Sequence, residues 1–210
     1  MHSSDMQPYI AHSTYIDCDE SGVCAKAREL AAASTGELDL VERCFEFVRD
    51  RIRHSWDYQL NPVTCRASDV LRHGTGYCYA KSHLLAALLR ACGVPAGLCY
   101  QRLSVGDAGP PYCLHGLNAV HLRAYGWYRL DARGNKAGVT ARFCPPREVL
   151  AFPIRGPEEC DLPGILAEPL PAVVAALETY RDVHLVHANL PDVAPAAWRA
   201  VAGDPHSISR

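Results

Sequence analysis

The sequence predicts an α+β fold: one helix-rich layer packed against an antiparallel β-sheet. Two observations lead to this. The first half is rich in alanine and leucine with helical periodicity, and after Pro95 the apolar period changes to two. The period-two segments also follow one another closely enough to pair as hairpins, unlike strands that alternate with helices in a parallel sheet. The 210 residues fit a single domain, 1–210, with a core at about 36–135 and neither an internal repeat nor an interdomain linker.

The elements follow in order. The first twenty residues mix β-formers (Tyr9, Ile10, Thr14, Tyr15, Ile16) with turn residues and are expected to form a strand or extended arm. Asp19 to Ala33 reads as a helix. Ser34 and Glu37 have the spacing of a capping box. After them Val41, Cys44, Phe45, Val48 and Ile52 recur as one helical face. Asn61-Pro62 breaks the chain, and a short helical turn covers Ala67 to Arg72. Cys78 to Cys92 (CYAKSHLLAALLRAC) is the strongest helix former, stopped by Gly93 and Pro95, with Lys81 and Arg90 expected on its solvated side. Strands are expected at Leu98–Leu103, His115–Ala124 and Trp127–Leu130, the last two joined by a tight turn at Tyr125-Gly126. Residues 141–169 look irregular and proline-rich, Pro171–Arg181 reads as a surface helix, and the tail at 190–210 is expected to be flexible.

Composition excludes several functions. A formal charge of −2 gives no reason to expect a nucleic-acid or anionic-membrane partner. No apolar run approaches a membrane span, and the amino terminus lacks the basic and apolar stretches of a secretory signal, so a soluble, cytoplasmic protein is expected. The ten cysteines form no C-x-x-C pair and have no zinc-site spacing, and most are expected to be reduced and buried. His184 and His187 lack a third ligand, and Asp17, Asp19 and Glu20 lack the glycine-centred loop that binds calcium. No metal and no cofactor are expected.

One cysteine stands apart. A nucleophilic cysteine works as the thiolate, which a helix N-terminus and a nearby histidine both favour. Cys78 follows two glycines in GTGYC and opens the longest helical segment. The strand HGLNAVHL offers two histidines, His115 and His121, which share a sheet face but stand ~20 Å apart, so one at most can serve Cys78. Asp131 ends the following strand and suits the carboxylate that orients the imidazole. A two-residue turn would pair Asp131 near residues 119–121 and so favour His121, whereas a bulge or looser turn would favour His115. Geometry read from sequence leaves both open.

The segment GTGYCYAKSHLLAALLRACGVPAGLCY and the later HGLNAVHLRAYGWYRLD resemble the two core blocks of the transglutaminase-like superfamily. The likeness lies in Gly76 and Cys78, the Ala-Leu helix, Gly93-Val94-Pro95-Ala96, and then His115, Asn118, Val120, Trp127 and Asp131, about Phe45 to Asp131 in all. It implies a papain-like fold, a Cys78–His115–Asp131 triad, and an amide hydrolase or peptidase, a transglutaminase or other acyltransferase, or a non-catalytic peptide clamp. The partner would be a protein, peptide or small amide. His54-Ser55-Trp56-Asp57 is similar to the segment before the nucleophile in animal transglutaminases, which implies that Trp56 shares an oxyanion with the Cys78 N–H; the alternative is a core tryptophan. This chain departs from the pattern at Gly97, Leu117 and Ala132, where the family often has arginine, tryptophan and proline.

Overall fold

The computed structural model describes residues 3–106 and 108–202. The chain opens with a 3₁₀ turn, Ser3–Tyr9, and continues through α1 (Ser21–Ala32) and α2 (Glu37–Arg51). Next come β1 (Arg53–His54), α3 (Ser55–Tyr58), α4 (Ala67–His73), β2 (Thr75–Gly76) and α5 (Cys78–Ala91). The sheet strands are β3 (Ala96–Ser104), β4 (Tyr112–Leu122), β5 (Gly126–Leu130) and β6 (Cys160–Asp161), and α6 (Pro171–Thr179), α7 (Val183–Ala188) and α8 (Trp198–Ala202) complete the chain. The main sheet is antiparallel in the order β5-β4-β3-β6, and β1 and β2 form a separate two-residue parallel pair. The architecture is the α+β arrangement that the periodicity predicts.

Helix α5 is the centre of the molecule. It packs against α1, α2 and α4 on one side and β3 and β4 on the other, and every side chain from Cys78 to Arg90 is buried. It therefore has no solvated face, and the expectation for Lys81 and Arg90 fails. Both are inside the protein, where their long stems add apolar contact and their charged heads satisfy carbonyls. The Lys81 ammonium donates to the carbonyls of Arg49 and Ile52 at the C-terminal end of α2, where a cation suits the helix dipole. Arg90 donates to Ala96, Ala11 and Ala167, tying three separate segments to one helix. His83 on the same helix shares a hydrogen bond with the Cys65 carbonyl, and burial pushes its pKa down to about 4.

Three other expectations change. The amino-terminal segment is a 3₁₀ turn, not a strand, and the Tyr9 hydroxyl bonds the Ile165 carbonyl on the outer face of the sheet. The capping box is absent: α2 starts after Gly36, the Asp39 carboxylate accepts from the Thr35 N–H and hydroxyl, and Glu37 pairs with Arg123. The chain beyond Leu190 is anchored as far as α8. Trp198 is buried with its indole N–H on the Pro163 carbonyl, and Asp192 pairs with Arg102; residues 203–210 lie outside the described residues. Helix α6 buries Val173, Ala176 and Leu177 on its inner face. The ten cysteines are all free, five of them buried and five partly exposed. Among the described residues no helix is long and apolar enough to cross a membrane.

Candidate active site

Two close backbone approaches build the site. The first is at the start of α5. Gly76 precedes it, and a Cβ there would meet the Ala80 Cβ at 3.1 Å and the Thr64 hydroxyl at 3.2 Å. Tyr77 is the N-cap but gives no side-chain cap, so the first-turn N–H groups of α5 are left for another acceptor. The second is at Gly116 on β4, where a Cβ would lie 3.1 Å from the Tyr79 Cα. This contact lays β4 directly over the first turn of α5. The Gly116 N–H then reaches the Cys78 sulfur at 3.5 Å.

The β4–β5 hairpin resolves which histidine joins the cysteine. Leu122 pairs with Gly126, so the connection is the three-residue loop Arg123–Tyr125, with Gly126 at φ 71°. That is looser than the tight turn expected, and glycine suits the left-handed position that closes such a loop. Asn118 consequently pairs with Leu130, and Asp131 continues toward His115. The His115 Nε2 and Asp131 Oδ2 are 2.7 Å apart, which leaves Nδ1 as the ring nitrogen not engaged by the carboxylate, and His115 and Cys78 both line the same cleft. His121 instead pairs with Trp127 at the far end of the strand, the two rings meeting edge-on at 5.4 Å.

All three groups are buried, Asp131 almost completely. Asp131 also accepts from the backbone N–H of Arg133 and of Ala151, both at 3.1 Å. Burial alone would raise its pKa, but the His115 charge and these hydrogen bonds outweigh it and hold the carboxyl below the usual range. For His115 burial opposes protonation, and the charges and hydrogen bonds of Asp131 and Cys78 overcome it and raise the imidazole to about 10. Asp131, and the sulfur when it is charged, both favour the protonated form of the ring.

The site opens on a cleft of about 420 Å³. Trp56 of α3 lines it, with its indole stacked on His187 of α7 (centroids 3.5 Å apart, planes at 11°) and His184 edge-on at 5.7 Å. The two histidines, which lack a third metal ligand in the sequence, pack against a tryptophan. Among the described residues no group of three or more His, Cys, Asp or Glu is placed to hold a metal ion.

Further residues line or support the cleft. His54 is buried beside Tyr77, its Nδ1 without a hydrogen bond and 3.7 Å from Asp57; burial, then the Arg133 charge, pushes its pKa well down. Asp57 takes both guanidinium nitrogens of Arg133, at 2.6 and 3.0 Å, and the Lys136 ammonium at 2.7 Å. The segment from Ala151 to Glu159, expected only to be irregular, forms a wall: Phe152 stands edge-on to His115 at 5.0 Å, and Ala151 bonds Asp131. Nothing in its composition marks it, because the contact is made across about twenty residues of loop.

A family model described as the transglutaminase-like superfamily matches residues 25–132, which carry Cys78, His115 and Asp131. The chain belongs to the transglutaminase-like superfamily. No curated protein matches it. Among solved structures it is similar to a candidate cysteine protease from Cytophaga hutchinsonii, at 18% identity and a TM-score of 0.50, with 63% of this chain and 43% of that one aligned. It is also similar to the periplasmic domain of TgpA from Pseudomonas aeruginosa, at 19% identity and a TM-score of 0.49 over 63% of this chain and 48% of that one. The alignments thus span less than half the length of these relatives. The fold is a transglutaminase-like α+β fold.

The departures from the family pattern have structural reasons. A Cβ on Gly97 would lie 2.3 Å from Ile165 Cγ2 and 3.0 Å from the Leu166 carbonyl oxygen, so no side chain fits where this chain brings residues 165–166 onto β3. Leu117 fills a small apolar cluster with Tyr9, Cys99, Ala119 and Ile165 on the outer face of the sheet. Ala132 is buried in the main core. All three positions serve the packing of chain segments beyond the matched region or of the core itself, and none lines the cleft.

Proposed function

We propose that this transglutaminase-like chain is a cysteine-dependent amide hydrolase acting on peptides through a thioester acyl-enzyme. The observation that carries the reading is the buried His115–Asp131 pair, whose histidine lines the same cleft as Cys78 at the start of α5. In this reading the thiol proton resides on His115, and the sulfur attacks the substrate carbonyl carbon. The resulting oxyanion takes the free backbone N–H at the start of α5, with the Trp56 indole N–H as a second donor. As the C–N bond breaks, His115 passes its proton to the leaving amine. Water, deprotonated by the same imidazole, then attacks the thioester, releasing the acid and returning the proton to the Cys78–His115 pair.

The test is direct. Native protein is labelled with iodoacetamide from pH 5 to 9 and each cysteine is read by peptide mass spectrometry. The reading expects Cys78 to react at least about tenfold faster than the other nine cysteines at pH 6, and His115→Ala to remove that advantage while His121→Ala does not. An activated ester should then leave its acyl group on the Cys78 peptide, to be released by water. Release faster with an added primary amine would make the chain an acyltransferase. An unreactive Cys78 would leave a peptide clamp.

A further inference from the structure

Resting on that reading, we infer that the cleft selects peptides carrying an acidic residue beside the scissile carbonyl, whose carboxylate is held between Arg155 and Lys136. The argument starts from charge. The chain as a whole is slightly acidic, at −2, yet among Arg, Lys, Asp and Glu the described walls of the cleft present three cations, Arg133, Lys136 and Arg155, against one carboxylate, Glu159.

Partners decide which of these charges is available to a ligand. Asp57, behind the wall, faces two cations at once, so a single negative charge is shared between the buried Arg133 and the half-exposed Lys136. One positive charge on that wall is left over. Burial would push the Asp57 carboxyl up, but the hydrogen bonds from Arg133 and Lys136 bring it down to about 2, so it stays ionised across the working range. On the wall formed by Ala151 to Glu159, Glu159 is turned into the backbone. Its oxygens accept from the N–H groups of Ser104, Arg155 and Gly156, and it is 8% exposed. The Arg155 side chain is exposed and pairs with no carboxylate among the described residues. Guanidinium is the group best shaped for a carboxylate.

The mouth favours a peptide over a free small acid. Val105 and Ile154 are among the few large apolar side chains exposed on the surface; Val105 lines the cleft, and Ile154 lies in the chain between the lining residues Pro153 and Arg155. A chain lying across the mouth would cover them, whereas a small acid would not.

Two thiol probes isolate the carboxylate: iodoacetyl-glutamate α-amide and iodoacetyl-glutamine α-amide, which differ in that one group. Their rates of alkylation of Cys78 in the full chain are compared as a ratio. The acid is expected to react about three- to tenfold faster, an advantage of the size that exposed charges give, and to lose it in high salt. Arg155→Gln and Lys136→Gln should each lower the ratio, and Arg155→Glu should invert it. Equal rates in the wild type, or a ratio indifferent to both substitutions, would overturn the inference and leave the nucleophile standing. Iodoacetate alone reacting like the acidic probe would mean that any small acid suffices and the peptide part is wrong. If neither probe labels Cys78, the enzyme reading fails first.

Discussion

Gly116 and Tyr79 touch backbone to backbone: a methyl group on Gly116 would sit 3.1 Å from the Tyr79 Cα and 3.0 Å from its ring. This contact sets the spacing between the strand that carries His115 and the helix that Cys78 begins. Gly116→Ala must push the two apart, since neither a backbone atom nor a helix turn yields easily. It should cost about 1–3 kcal/mol of stability, the usual penalty of overpacking. More to the point, it should slow alkylation of Cys78 by iodoacetamide even at temperatures where the variant is fully folded. A destabilised variant with wild-type thiol reactivity would show that the contact is only structural.

Trp56 can be separated from its packing role. Trp56→Phe keeps a flat ring against His187 but removes the indole N–H. If that N–H binds the oxyanion, acylation by an activated ester should fall by about 10²-fold, the scale for one lost oxyanion donor. Alkylation by iodoacetamide passes through no oxyanion and should be unchanged. Equal losses in both reactions would return Trp56 to the core.

Two buried bases give opposite pH dependence to stability. His115 holds its proton more tightly in the folded state, at about 10 against an ordinary 6.5, so its pairing stabilises fully below pH 6.5 and is lost as pH rises through about 10. Lys81 is the reverse. Burial, with the nearby Arg133 charge, lowers it from 10.5 to about 7, so its contribution is fully present above pH 10.5 and is lost as pH falls through about 7. The windows overlap, and the wild-type melting temperature should change little between pH 7 and 10. His115→Gln should expose the Lys81 trend, a melting temperature that rises with pH. Lys81→Met should expose the His115 trend, a fall. Thermal melts across that range check both, and parallel slopes in the two variants would contradict the assignment.

Gly97 tests the account of the family departures. Gly97→Ala forces a methyl group to within 2.3 Å of Ile165 and 3.0 Å of a backbone oxygen. It should destabilise by about 1–3 kcal/mol in chemical denaturation. Ile165→Ala, which removes the nearer obstacle, should recover part of that loss in the double variant. Full additivity would mean that the strain lies elsewhere.

Much of the molecule was legible in the sequence because local rules decide it. The change of apolar period after Pro95, the Ala-Leu run of α5 and its stop at Gly93 fix helices, strands and their order through backbone propensity and burial of one face. Lys81 and Arg90 on the fully buried α5 depart from the expected solvated face, since a charged side chain reads as solvated until the carbonyls that receive it are known. The cap of α2 departs as well, because Ser34–Glu37 and Thr35–Asp39 compete for the same turn and only the folded chain decides which closes.

What the residues alone determined, then, is the α+β class, the nucleophile candidate Cys78 and a choice of two histidines. The tertiary structure decided between the histidines: with Leu122 paired to Gly126 across the loop Arg123–Tyr125, Asp131 follows Leu130 out of β5 beyond its partner Asn118 and reaches His115. It also decided the walls of the cleft. Asp57 meets Arg133 across 76 residues, and Ala151 meets Asp131 across 20. Contacts at that separation depend on where the whole chain folds back, and the short-range periodicities of a sequence do not contain them.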